Sequence, residues 1–426
     1  MRRKGIASLV VFLFITHPQW AFALAPEARI EKLEALVTAQ QAQIESLRSE
    51  VRDLKGVRES DQKEVKQIKA KYETWPGTTR LPKPVPEDMK ILVSGNIDVS
   101  YTNQEDTSST FENGHFNPIL LAKLSDNILM ESEVEYETGG SEIGLEYAQI
   151  DWLMNDYMTL VAGKFLVPFG VFNERLHANW INKAPNRPLP MREVIPADWS
   201  DTGIQMRGNI PVGDFIDFIP EQITTEYSVY AVNGLEGTEG ASLRDLRGAS
   251  VTDDNNNKAI GGRIGVIAPP WVEGGVSLYR GAYTPRDDSH SITSFGFDGA
   301  FFWKDIAELR GEWIFTDQQI MSQTLQKDGW SLQGAYKLAD LAYLLSNLPG
   351  SSFLGRCEFV LRYSTADLDT LSGGEVIADN RHQFTSGINY YIRPSFIWRV
   401  FLEKNQEDKG TTADNDAFIT MLTMGF

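Results

Sequence analysis

The sequence predicts an all-β fold class, a 16-stranded antiparallel transmembrane β-barrel, preceded by an α-helical coiled coil. Three observations carry that expectation. Sixteen segments after residue 90 place apolar residues at alternate positions, the apolar face of many is aromatic, and their connections alternate between turns and long links. A seven-residue apolar repeat occupies the stretch before them.

The N-terminus reads as an export signal. Arg2, Arg3 and Lys4 precede an apolar run from Ile6 to Ile15, and small-x-small sites follow at Ala21-Phe22-Ala23 and Ala23-Leu24-Ala25. Positive, apolar and cleavage regions thus come in signal-peptide order, so residues 1–25 are expected to be removed. No later stretch approaches the roughly 18 consecutive apolar residues that a membrane-spanning helix needs, so a mature chain that enters a membrane does so as strands. The single cysteine, Cys357, excludes an intrachain disulfide and reads as packing. No cysteine follows the cleavage sites to carry a lipid anchor.

Residues 26–75 are expected to form the coiled-coil stalk. Ile30, Val37, Ile44, Val51, Val65 and Tyr72 fall on one core position of the heptad, and Leu33, Leu47, Leu54 and Ile68 on the other. Such a narrow seam is buried by supercoiling with other copies. Gln40, Arg58 and Asp61 interrupt it with polar layers that set register or oligomer number, and core preference alone favours two strands. Forty-odd helical residues would reach on the order of 60 Å, so the stalk could space a barrel from the cell wall. Residues 76–88 hold four prolines and Gly77 between Pro76 and Pro86, a stiff linker, and the barrel is placed at 89–426.

Within the barrel the period is two. Phe295, Phe297, Gly299, Phe301 and Trp303 alternate with Gly296, Asp298, Ala300, Phe302 and Lys304; Leu309, Trp313 and Phe315 alternate with Glu308, Arg310, Glu312 and Ile314. A dry sandwich core would bury those charges at great cost, and water would meet an adhesive aromatic face. A lipid-facing exterior around a wet lumen satisfies both. Strands are expected near 91–101, 115–124, 128–138, 142–154, 157–165, 202–210, 223–233, 258–267, 271–282, 292–304, 306–316, 329–338, 355–364, 381–392, 395–404 and 416–426.

With the stalk in the periplasm, short links at Ser125-Asn127, Asn155-Asp156, Ala268-Pro270, Lys304-Asp305 and Arg393-Pro394 fall on the periplasmic side. Long links near 103–114, 166–201, 234–257, 317–328, 365–380 and 405–415 fall outside. Those near 211–222 and 339–354 are long on the periplasmic side, where short amphipathic helices are expected. The last strand alternates Phe418, Thr420, Leu422, Met424 and the terminal Phe426. This resembles the signature that delivers outer-membrane barrels to their insertion machinery, which makes that machinery and outer-membrane lipid the expected partners.

The link 166–201 is too long for a hairpin and holds Phe169, Phe172, Trp180 and Trp199 among Arg175, His177, Lys183, Arg187 and Arg192. Long loops in compact folds are usually functional, and this one is expected to fold inward as a constriction loop. The run Gly163-Lys164-Phe165-Leu166-Val167-Pro168-Phe169-Gly170, with Val171-Phe172-Asn173-Glu174-Arg175-Leu176-His177 and Trp180-Ile181-Asn182-Lys183, resembles the equivalent segment of phosphate-selective porins O and P. The resemblance implies a trimeric sixteen-stranded porin of the bacterial outer membrane with an inward third loop. It also implies passive diffusion of small hydrophilic anions such as phosphate past basic side chains. The basic candidates are Lys164, Arg207, Arg263, Arg310, Arg362 and Arg399 on strands, and Arg175, Lys183, Arg187 and Arg192 in the loop.

Net charge argues the other way. Removing the three basic signal residues takes the formal charge from −18 to −21, and Glu131, Glu133, Glu135 and Glu137 share the polar face of one strand. A general or cation-preferring porin, or a structural barrel whose stalk spaces the outer membrane from the wall, therefore stays open. An enzyme is not expected. His115, His177, His290 and His382 lack metal-ligand spacing, and Gly261-Gly262 and Gly373-Gly374 lack the context of phosphate-cradling loops. No cofactor is expected, and no basic patch supports nucleic-acid binding.

Overall fold

The computed structural model describes residues 89–426, apart from 113, 138–141, 215–219, 221, 239–241, 247–252, 254, 286–288, 322, 345–349, 373–374 and 410–413. The expected signal, stalk and linker lie outside the described residues. Chain order begins with β1 (Lys90–Gln104), β2 (Thr110–Glu112), β3 (His115–Lys123), β4 (Ile128–Glu137), β5 (Glu142–Asn155) and β6 (Met158–Leu166). It continues with β7 (Ser200–Pro211), β8 (Thr224–Val232), β9 (Ala259–Ala268), β10 (Val272–Ala282), β11 (Ser291–Trp303) and β12 (Ala307–Ile320). The last are β13 (Gln323–Lys337), β14 (Cys357–Ser372), β15 (Glu375–Arg393), β16 (Phe396–Lys409) and β17 (Ala417–Gly425).

These strands close into a 16-stranded antiparallel barrel in which each stave pairs with its sequence neighbours. β2 and β3 share one stave. Both pair with β1, Ser100 opposite Glu112 and Ile97 opposite Phe116, with a one-residue slip between them. The seam joins β1 to β17 from Asn96↔Gly425 to Gln104↔Ala417. The terminal residue completes it: Phe426 N donates to Gly95 O (2.9 Å), while Gly95 N (3.0 Å) and Ser94 Oγ (2.7 Å) donate to Phe426 O. Its ring stacks on Phe116 at 6.3 Å. Gly95 has φ +156°, and a Cβ there would strike Asn117 O, so this position of the seam is closed to larger residues.

Alternation separates the two faces. Ile204, Val229, Ile260, Ile264, Phe295, Phe297, Phe301, Trp303, Trp313, Trp330, Phe359, Phe384 and Trp398 point outward and are exposed. Asn96, Asp98, Glu133, Asp151, Gln205, Arg263, Glu312, Arg362, Thr385 and Arg399 point inward and are buried. Phe418, Leu422 and Met424 of β17 belong to the exposed outer face, as does Phe426 at its end.

Both chain ends of the barrel lie at the end that carries the short turns. The links on this side that are too long for turns hold a 3₁₀ turn, Val212–Asp214, and two short helices, Ala339–Leu344 and Ser351–Leu354. The opposite side corrects the sequence reading. The links near 317–328, 365–380 and 405–415 are not loops over their whole length: β12 to β16 extend through them almost to the hairpin tips. Pairs such as Gln318↔Leu325 and Thr370↔Ile377 continue the ladder. Asp317, Gln319, Asp367 and Asp369 interrupt the apolar alternation there, because beyond an apolar belt the outer face of a strand meets water.

Deleting Phe426 removes three hydrogen bonds, each worth about 1 kcal/mol net, together with the ring contact. The expected outcome is a lower melting temperature for the detergent-folded barrel, measured by circular dichroism and by heat-modified gel mobility, with strand content retained below the transition.

Candidate functional site

The link between β6 and β7 enters the barrel. Gly170, at φ +65°, turns the chain where a Cβ would collide with Glu312, and a five-residue π turn, Phe172–Leu176, follows. Pro190 opens a single helical turn, Pro190–Glu193, where its missing N–H costs nothing. Asn173, 3% exposed, clips the two stems together. Its Nδ2 donates to Val167 O (2.9 Å) and Trp199 O (2.8 Å), and its Oδ1 accepts from Trp199 N (3.0 Å).

An apolar cluster holds the loop against the wall. Val167, Phe169, Met191, Val194, Ile195 and Trp199 of the loop are buried with Tyr230, Tyr279, Ile292, Ile314 and Leu368 of the strands. Trp199 meets Tyr279 edge-on at 4.7 Å and Phe169 at 5.8 Å. Polar contacts then carry the loop round the lumen. Gly170 N donates to Ser277 Oγ on β10 (2.9 Å), and Thr316 Oγ1 on β12 donates to Val194 O (3.0 Å). Asn179 donates to Asp98 on β1 (2.8 Å), Asn186 to Glu403 on β16 (2.8 Å), and Asn389 on β15 to Lys183 O (2.9 Å).

Most of the basic candidates meet carboxylates. Arg263 grips Asp298 through two nitrogens, Nη2 to Oδ1 (2.6 Å) and Nε to Oδ2 (3.0 Å), and also pairs with Glu226. Arg175 pairs with Glu226, Arg187 with Asp198, and Arg207 with Asp151 (2.8 Å) and Glu174 (3.5 Å). Arg310 bridges Glu273 (2.7 Å) and Glu308 (3.0 Å), and Lys183 bridges Glu358 (2.6 Å) and Glu308 (3.6 Å). Three guanidinium groups keep N–H groups without an acceptor among the described residues: Arg192 at Nε, Arg362 at Nε and Nη2, and Arg399 at Nε and Nη1. Arg362 and Arg399 are each 1% exposed.

Lys164 is a correction. Its register partners, Ala148 and Thr202, share the face of Ile150 and Ile204, so Lys164 lies on the outer face of β6, and its Nζ donates to Leu145 O (2.5 Å). The sequence reading took the basic residue of the Gly163-Lys164-Phe165 run for the inward one. The buried inward residue is Phe165, part of the loop's apolar cluster.

A second wall is acidic. Asp98, Glu133 and Glu135 face inward beside His115 and His177, at 3.1 Å (Asp98 to His115), 3.8 Å (Glu135 to His115) and 3.9 Å (Glu133 to His177). Asn117 donates to Glu133 at 3.1 Å. Among the described residues no group of such side chains is arranged to hold a metal ion.

The sequence reading missed Asn173 and Asn186, because an asparagine that ties loop to loop or loop to wall has no spacing signature. Tyr230 and Tyr279 were missed as inward anchors because aromatic residues on barrel strands were assigned to the outside.

No protein-family model matches the chain. It is 29% identical over 195 residues to an uncharacterised protein of Aquifex aeolicus, covering 42% of this chain and 41% of that one. The chain thus spans about two fifths of that relative's length. Among solved structures, the barrel is similar to an anion-selective porin from Comamonas acidovorans, with TM-score 0.54 and 13% identity over 80% of this chain and all of that one. It is also similar to the trimer form of OmpT, an outer membrane protein of Vibrio cholerae, with TM-score 0.53 and 9% identity over 79% of this chain and 99% of that one. At these identities the likeness is one of fold: the chain has the closed 16-stranded barrel of porins.

Replacing Asn173 with Ala removes the clip and leaves Trp199 N buried without its acceptor, at a cost of about 2 to 4 kcal/mol confined to the loop. The expected outcome is proteolytic nicking within 166–201 while the barrel strands stay protected, measured by limited proteolysis with mass spectrometry on the detergent-folded protein.

Proposed function

We propose that this chain is an outer-membrane porin through which small hydrophilic solutes diffuse passively, the loop 166–201 forming the constriction. The observation that carries the reading is the inversion of faces: a closed barrel with exposed aromatic and aliphatic side chains outside and buried, charged, hydrogen-bonded side chains inside. Such a surface is stable in a bilayer around a wet interior and adhesive in water. The short-turn end then faces the periplasm, where the heptads of residues 26–75 would form a stalk. Phe418, Leu422, Met424 and Phe426 would serve as the insertion signal. The heptads imply an oligomer, and the family resemblance alone makes it a homotrimer. The same stalk could also space the membrane from the wall.

Selectivity turns on the field that remains after pairing. Arg175, Lys183, Arg187, Arg207, Arg263 and Arg310 are largely neutralised by neighbouring carboxylates and Arg362 stands 3.8 Å from Glu403, so an anion preference would rest mainly on Arg192 and Arg399. Rings of such charge choose the sign of the permeant ion. Phosphate is the specific anion only through the resemblance. A cation-preferring porin is the second reading, favoured by Asp98 on β1 and by Glu133 and Glu135 on β4.

The deciding measurement is the reversal potential of the purified protein in a planar bilayer under a potassium chloride gradient, followed by phosphate titration. Anion-selective steps that phosphate blocks are expected, with the anion preference reduced several-fold in Arg399→Gln. Cation-selective steps would keep the porin and transfer selectivity to the acidic wall. Folded protein without conductance would leave only the structural barrel.

A further inference from the structure

Under the loop lies a recess of about 140 Å³ between loop and wall. On the loop side it is lined by Phe172, Leu176, Ile181 and Pro188, and on the wall side Arg362 and Ser331 contribute. Ile181 is 39% exposed, an aliphatic side chain presented to an otherwise charged interior. Polar lumens have no use for such a surface unless something apolar covers it.

Arg362 supplies the opposite chemistry in the same recess. Its Nη1 donates to Asn186 O at 2.7 Å, which fixes the guanidinium plane. Its nearest carboxylate, Glu403, stands 3.8 Å from Nη2 and already accepts from Asn186 (2.8 Å), Thr385 (3.3 Å) and Gln383 (3.5 Å). Nε and Nη2 are therefore left buried without a hydrogen-bond partner among the described residues. Arg263 uses that same pair of nitrogens to hold the Asp298 carboxylate side by side.

We propose that this recess binds a small organic monocarboxylate, its anionic end on the Nε–Nη2 fork of Arg362 and its apolar body against Leu176 and Ile181. Inorganic phosphate fits poorly, because aliphatic side chains would strip its hydration without replacing it. The carboxylates that share the recess also favour a single negative charge over two. Glu308 is compensated by Arg310 and Lys183, whereas Glu312 Oε1 is buried without a hydrogen-bond partner. The inference goes beyond the channel reading and depends on it only for access to the lumen.

The test uses the full chain folded in detergent, with benzoate, acetate, phosphate and chloride compared at equal ionic strength by isothermal titration calorimetry and thermal shift. Benzoate is expected to bind and raise the melting temperature, acetate to bind more weakly at the same site, and phosphate and chloride not to compete with benzoate. Arg362→Gln should weaken benzoate at least tenfold, and Arg362→Lys should recover part of the loss. Ile181→Asn, a change at an exposed side chain that the fold tolerates, should weaken benzoate and leave acetate unchanged, so the proposal is testable even if Arg362→Gln does not fold. Displacement of benzoate by phosphate as readily as by acetate, or benzoate binding unchanged in Ile181→Asn, would overturn it. Conductance measured on the same preparation separates this result from the channel reading, since neither outcome requires the other.

Discussion

The backbone hydrogen bond is the constraint on which this barrel depends. An apolar surrounding offers no partner for a peptide N–H or C=O, so a sheet with an apolar exterior must leave no edge unpaired. That requirement explains why the last residue of the chain carries structure. Phe426 completes the β1–β17 seam with its own amide and carbonyl, and its ring covers the join against Phe116. Once the edges are joined, the side-chain period of two fixes an inside and an outside for every stave, and the rest of the molecule follows from what each face meets.

Inside, two kinds of bonding hold the loop. One part of the wall turns Tyr230, Tyr279, Ile292 and Ile314 inward and builds an apolar cluster with Phe169 and Trp199, which fixes the loop by burial. Elsewhere the loop is tied by asparagine side chains and ion pairs, from Asn179 on Asp98 to Asn186 on Glu403. Burial is non-directional and holds the loop's bulk, whereas hydrogen bonds fix where its polar groups point. A long segment inside a wide barrel needs both to present one set of side chains to a solute.

Much of the fold was legible in the sequence because its strongest signals are local. Alternation in segments such as Phe295 to Trp303 fixes strand and facing at once, and the turn dipeptides mark one end of the barrel. Legibility failed where alternation lost its meaning. Above the apolar belt, Asp317 and Gln319 occupy outward positions of a strand although both are polar, because neighbouring strands still supply the ladder. Near the loop the failure was of facing. Lys164 looked inward by residue type, yet the pairing of β6 with β5 and β7 puts it outside and Phe165 inside.

The basic residues of the lumen show why residue type alone could not yield the site. Arg263 and Arg362 both point inward on barrel strands, both are buried, and both were candidates for the same role. Their surroundings separate them: Glu226 and Asp298 engage Arg263, whereas Glu403 accepts from Asn186, Thr385 and Gln383 and leaves Nε and Nη2 of Arg362 without a hydrogen bond. Arg263 has its donors filled by two carboxylates, whereas Arg362, 3.8 Å from Glu403, keeps two donors that no acceptor among the described residues fills. That distinction is set by partners from distant strands and from the loop, and it exists only once the barrel has closed around them.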